Sequence, residues 1–110
     1  MWERHEAVDL CRALYAISEE YGCFPALTGG LLYKAGPRKD CDILFYRHRQ
    51  CEKINVAGLF VAMSDLGVKR LTEWDVWCVK ALWREKPVDF FFPDAEDGDY
   101  DRTELEMARE

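Results

Sequence analysis

Between Glu3 and Tyr21, apolar residues recur at Ala7, Leu10, Leu14, Ile17 and Tyr21, with acidic residues mostly between them. These alternating steps of three and four predict an amphipathic helix. Gly22 is placed to end it in a left-handed cap, and Cys23-Phe24-Pro25-Ala26-Leu27-Thr28 then reads as a short buried strand. Gly29-Gly30 interrupts that strand. The five residues from Leu31 to Ala35 allow a turn or two of helix before Gly36-Pro37 breaks it. The branched and aromatic residues of Asp40-Cys41-Asp42-Ile43-Leu44-Phe45-Tyr46 favour a second strand.

Beyond the polar connection from Arg47 to Gln50, Ile54, Ala57, Phe60, Val61 and Met63 fall at helical spacing, which predicts a helix from Glu52 to Leu66, ended by Gly67. Val68 to Thr72 is a candidate strand. Val76 to Trp83 is a clearer one, with Trp77, Val79, Ala81 and Trp83 alternating along one face. Arg84-Glu85-Lys86-Pro87 reads as a connection into a last strand, Val88 to Phe92, stopped by Pro93. This order predicts an α/β (α+β) domain over residues 1–93: a small mixed β-sheet of four to five strands with helices packed against it. Residues 94–110 read as an acidic, mobile C-terminal tail.

Charge sharpens that division. The net charge of −6 over 110 residues comes from the tail, because the segment before Asp94 holds 13 basic and 13 acidic residues. Without a basic excess, strong non-specific binding to nucleic acid is not expected. The five cysteines, Cys11, Cys23, Cys41, Cys51 and Cys78, form no Cys-x-x-Cys pair, and His5 and His48 lie outside zinc-ligand spacing. They are expected to be reduced, small core residues of a cytoplasmic protein. The amino terminus lacks the basic start and apolar stretch of a signal peptide. No run approaches the roughly 20 apolar residues of a membrane span, so no membrane association is expected.

The candidate chemistry begins at Gly29 and Gly30. A glycine pair between strand and helix lets the backbone approach a ligand closely and suits a phosphate, although such turns also serve simple chain reversal. Asp40 and Asp42 lie two apart in the second predicted strand, so their carboxylates share a face. Their repulsion is relieved by a hard cation such as Mg²⁺; the alternative is a charged strand at a sheet edge. Asp89, between Val88 and Phe90 in the most apolar strand, is costly to bury without a partner. It either caps something locally or converges on the same site. Lys34, Arg38 and Lys39 surround the glycine turn and are either phosphate-neutralising cations or solvated loop charges. Trp74, Trp77 and Trp83 read as core or interface rather than as a base-stacking platform.

Taken in order, Leu27-Thr28-Gly29-Gly30, then, after nine intervening residues, Asp40-Cys41-Asp42-Ile43, and finally Val88-Asp89-Phe90 make a pattern that resembles the polymerase β-like nucleotidyltransferase superfamily. The resemblance covers Phe24 to Phe92. It implies a nucleotidyltransferase-like fold in which Gly29 and Gly30 hold the triphosphate of an NTP substrate. Asp40 and Asp42 would bind one or two Mg²⁺ ions, and Asp89 would complete the metal site and help deprotonate an acceptor hydroxyl. The implied reaction moves an NMP to a hydroxyl on a protein, a nucleic-acid end or a small molecule, releasing pyrophosphate. Gly30 stands where many members carry serine. So short a chain leaves the acceptor site to a protein partner or a homodimer. The competing expectation is a non-catalytic protein of the same fold, an antitoxin-like or phage-encoded inhibitor that docks on another protein.

Overall fold

The computed structural model describes residues 1–48, 53–71 and 78–93. Their elements, in chain order, are α1 (Arg4–Ser18), β1 (Cys23–Thr28), α2 (Gly30–Tyr33), β2 (Cys41–Arg47), α3 (Val56–Asp65), β3 (Val68–Arg70), β4 (Cys78–Trp83) and β5 (Lys86–Phe91). A 3₁₀ turn, Glu19–Tyr21, extends α1 to Gly22, whose φ of +88° closes the helix as expected. The strands form one mixed sheet in the order β1-β2-β5-β4-β3. Strand β2 runs antiparallel to β1 and parallel to β5, while β3, β4 and β5 form an antiparallel meander.

The core lies on one face of this sheet. Alternation in β2 buries Cys41, Ile43 and Phe45, and the same alternation buries Val79, Ala81 and Trp83 in β4 and Val88 and Phe90 in β5. Onto them pack Ala7, Leu10 and Leu14 of α1 and Val56, Leu59, Phe60 and Met63 of α3, in one continuous cluster. Phe60 meets the ring of Phe90 edge-on at 6.5 Å. Cys23 and Cys41 are buried as small apolar residues, and Cys11 is half buried. Burial raises the thiol pKa of Cys11 to about 11 and of Cys41 to about 12, so neither is a ready nucleophile.

Several boundaries differ from the sequence expectations for local reasons. Helix α3 starts at Val56 because the Asn55 side chain accepts a hydrogen bond from the Gly58 N–H at 3.0 Å and caps it. Ile54 is buried, but it precedes the helix. The β4–β5 connection is the two residues Arg84 and Glu85, both left-handed at φ +52° and +65°, not four. Lys86 and Pro87 belong to β5. Pro87 is tolerated because β2 pairs with β5 only from Val88 onward, and its carbonyl accepts the indole N–H of Trp2. The expectations for Arg49 and Gln50, the helix start at Glu52, Cys51, Thr72, Trp74, Val76, Trp77 and the tail fall outside the described residues.

Two contacts fasten the start of the chain to the region of the glycine turn. Trp2 is fully buried, stacks on Trp83 at 6.1 Å and exchanges both backbone hydrogen bonds with Arg38, at 2.7 and 3.0 Å. Arg4 donates to the carbonyls of Leu31, Leu32 and Lys34, at 2.7, 3.3 and 3.3 Å, placing a cation on the C-terminal carbonyls of α2. Arg4→Ala is therefore expected to lower stability by about 1 kcal/mol, read from the urea midpoint at constant slope. An unchanged midpoint would show that water replaces the guanidinium without loss.

Candidate functional site

The face of the sheet opposite the core carries the half-buried and exposed residues of each strand, and there four polar side chains fall into one transverse row. Strand register places Thr28 opposite Asp42, Asp42 opposite Asp89, and Asp89 opposite Lys80. Directly paired residues point to the same side of a sheet, and neighbouring strands lie about 4.8 Å apart. Asp42 and Asp89 are therefore adjacent like charges on the two parallel strands. Lys80 Nζ stands 3.4 Å from Asp89 Oδ1 at the end of the row.

Two effects raise the Asp42 pKa above the ordinary aspartate value: first burial, then the negative charges of Asp89 and Asp40. Among the described residues, Lys80 is the cation that opposes the rise. Asp40 does not share the strand as expected, because β2 begins at Cys41. Asp40 is the exposed residue just before it and acts on Asp42 through space. In return, Asp89 raises the pKa of Lys80 by stabilising its ammonium form.

Gly29 and Asp42 fit together closely. Gly29 has φ +72° and ψ −156°, a region that side chains other than hydrogen disfavour. A Cβ there would overlap Asp42 Oδ2 and lie 3.0 Å from its Cγ. The carboxylate thus packs against the glycine Cα, and only the missing side chain makes room for it. Gly30 is approached on its own side by Arg38, whose Cδ and Nε would lie 3.2 Å from an added Cβ. Arg38 Nη2 donates to the Ala35 carbonyl at 3.4 Å, while its buried Nε has no acceptor among the described residues. Arg38 therefore flanks the turn, whereas Lys34 and Lys39 are exposed loop residues. Helix α2 is a single turn, too short for a helix dipole to carry a phosphate site, and the groups that approach Gly29 and Gly30 are Asp42 and Arg38.

Among the described residues, no three carboxylate, imidazole or thiol groups gather into a metal-ligand cluster of their own. The donor set at the row is two adjacent carboxylates. This fits Mg²⁺, which keeps several waters and takes one or two carboxylates together with substrate phosphate oxygens. Lys80 is the member of the row that the sequence reading did not single out. Its signal was the alternation of β4, where it stands between the core residues Val79 and Ala81 and so faces the acids.

Elsewhere, Trp83 is core, as expected, and Trp2 joins it there. His5 is exposed, and His48 is half buried, its ring 5.2 Å from that of Phe24. No helix among the described residues is long and apolar enough to cross a membrane. Compared with known protein families, curated proteins and solved structures, the chain matches none.

Proposed function

We propose that this protein binds a nucleoside triphosphate with Mg²⁺ across the Asp42–Asp89 pair and transfers its nucleoside monophosphate to a hydroxyl acceptor, with release of pyrophosphate. The observation that carries this reading is the register that holds two like charges side by side on adjacent parallel strands, against a glycine with no room for a side chain. Such a pair is destabilising unless a cation joins it, and strained, charged arrangements of this kind concentrate at functional sites. Asp42 and Asp89 would hold the metal, and Asp40 would add negative charge at the rim. Gly29 and Gly30 would bring backbone close to the phosphates, with the Arg38 guanidinium beside them. Bound Mg²⁺ would offset charge on the attacking and leaving oxygens. A protein partner or a second copy would complete the acceptor site.

A thermal-shift titration with ATP, GTP, CTP and UTP, with and without Mg²⁺, tests this. At least one nucleotide is expected to stabilise the protein only when Mg²⁺ is present, by about 2.7 kcal/mol at a hundredfold excess over Kd. Asp40→Asn should weaken that response. The Lys80–Asp89 ion pair favours a second reading, in which the row is neutralised internally and the fold serves only to bind another protein. Failure of all four nucleotides to stabilise the protein would select it.

A further inference from the structure

The row of charges carries its own cation, and the exposure of its members sets how that cation behaves. The Lys80 side chain is 61% exposed and that of Asp89 18% exposed, with 3.4 Å between Nζ and Oδ1. The ammonium therefore reaches Asp89 from the solvent side, from which any ion or polyphosphate must also arrive. A lysine head on a flexible stem can leave such a position without disturbing the strand that bears it. Its departure would leave Asp89 and Asp42 without a compensating cation among the described residues, the state most attractive to a dication.

We infer that Lys80 is a positioning residue that competes with Mg²⁺ for Asp89 and, once displaced, pairs with the phosphates of the incoming nucleotide. Metal alone is then bound weakly, and metal with triphosphate well. This rests on the reading of the row as an Mg²⁺–nucleotide site. Its signature is a pair of opposite effects: the Lys80 charge repels a cation binding by itself and attracts an anion binding with one. A lysine with a purely structural role would shift neither affinity, or both in the same direction.

The experiment compares the wild-type protein with Lys80→Met, which removes the charge, and Lys80→Arg, which keeps it. Mn²⁺ binding alone is followed by electron paramagnetic resonance, and binding of the Mg²⁺ complex of each NTP by calorimetry. Lys80→Met is expected to bind Mn²⁺ about fivefold more tightly, the upper end for an exposed ion pair, and the Mg²⁺–nucleotide complex about fivefold more weakly. Lys80→Arg should resemble the wild type in its Mn²⁺ affinity. Equal Mn²⁺ affinity in a folded Lys80→Met protein overturns the inference, as does movement of both affinities in one direction. If no form binds nucleotide yet Lys80→Met tightens Mn²⁺, the competition stands, while the nucleotide reading falls together with the phosphate half of the inference. If the wild type binds Mg²⁺–nucleotide and Lys80→Met changes neither affinity, the nucleotide reading stands and the inference falls.

Discussion

Asp42→Asn is expected to cut transfer of label from an α-labelled NTP by about a hundredfold or more, and at the same time to stabilise the metal-free protein. The two effects have one source. Asp42 is held half buried beside Asp89, with Asp40 near, and its carboxylate pKa is raised. The folded protein therefore retains this proton to a higher pH than the unfolded chain does. Its contribution to stability is full at low pH and is lost as pH rises through the raised pKa. Asparagine keeps the shape without the charge. Variant and wild type should accordingly be equally stable in acid and diverge above the ordinary aspartate range, with the variant the more stable at neutral pH. Mg²⁺ and nucleotide should reverse that order, because only the wild type gains from them. Chemical denaturation across pH, with and without Mg²⁺, reads all of this. Persistent labelling by the variant would end the enzymatic reading. A variant less stable than the wild type at neutral pH without metal would mean that Asp42 is a structural residue.

The sequence raised the expectation that the acids share a site, but not how they would stand: Asp42 and Asp89 are in register, whereas Asp40 precedes the strand. Periodicity and punctuation brought β1 to its observed bounds, and β2 and the helix formed by α1 with its 3₁₀ extension to within one residue, because Gly22 and Gly29 mark chain directions that side-chain-bearing residues resist. An Asp inside Val88-Asp89-Phe90 announced its own cost. The register of β2 against β5 is set by packing between residues far apart in the chain, and no local signal states that Asp42 stands opposite Asp89 rather than two residues away. Lys80 was hidden by a turn. Arg84 and Glu85 adopt left-handed backbone without glycine, asparagine or aspartate to advertise it, so the hairpin read as four residues long. A four-residue connection would pair Trp83 with Val88 and move Lys80 away from Asp89. The observed two-residue turn pairs Trp83 with Lys86 and sets Lys80 beside the acid. Trp2 was invisible for another reason: one aromatic residue among charged neighbours has no period, and its burial depends on a hairpin more than 80 residues later.

Gly29→Ala is expected to lower stability by roughly 3 kcal/mol and to abolish the nucleotide response, joining fold and site in a single methyl group. Two penalties combine. The backbone at φ +72° and ψ −156° costs any side-chain-bearing residue about 1–3 kcal/mol, and the new methyl must also displace the Asp42 carboxylate from its place beside Asp89. Gly36→Ala separates these terms. Gly36 also has a left-handed φ, +86°, but an added Cβ there would meet nothing within 4 Å, so its alanine bears backbone strain alone. It should cost about 1 kcal/mol and leave nucleotide binding intact. Combining Gly29→Ala with Asp42→Gly provides the remaining control, since with the carboxylate gone only the strain persists. The two substitutions should therefore be strongly non-additive, the double variant being more stable than the sum of the single effects predicts. Additive costs, or a Gly29→Ala protein no less stable than Gly36→Ala, would show that the carboxylate moves aside freely. In that case the glycine would serve the turn and not the site.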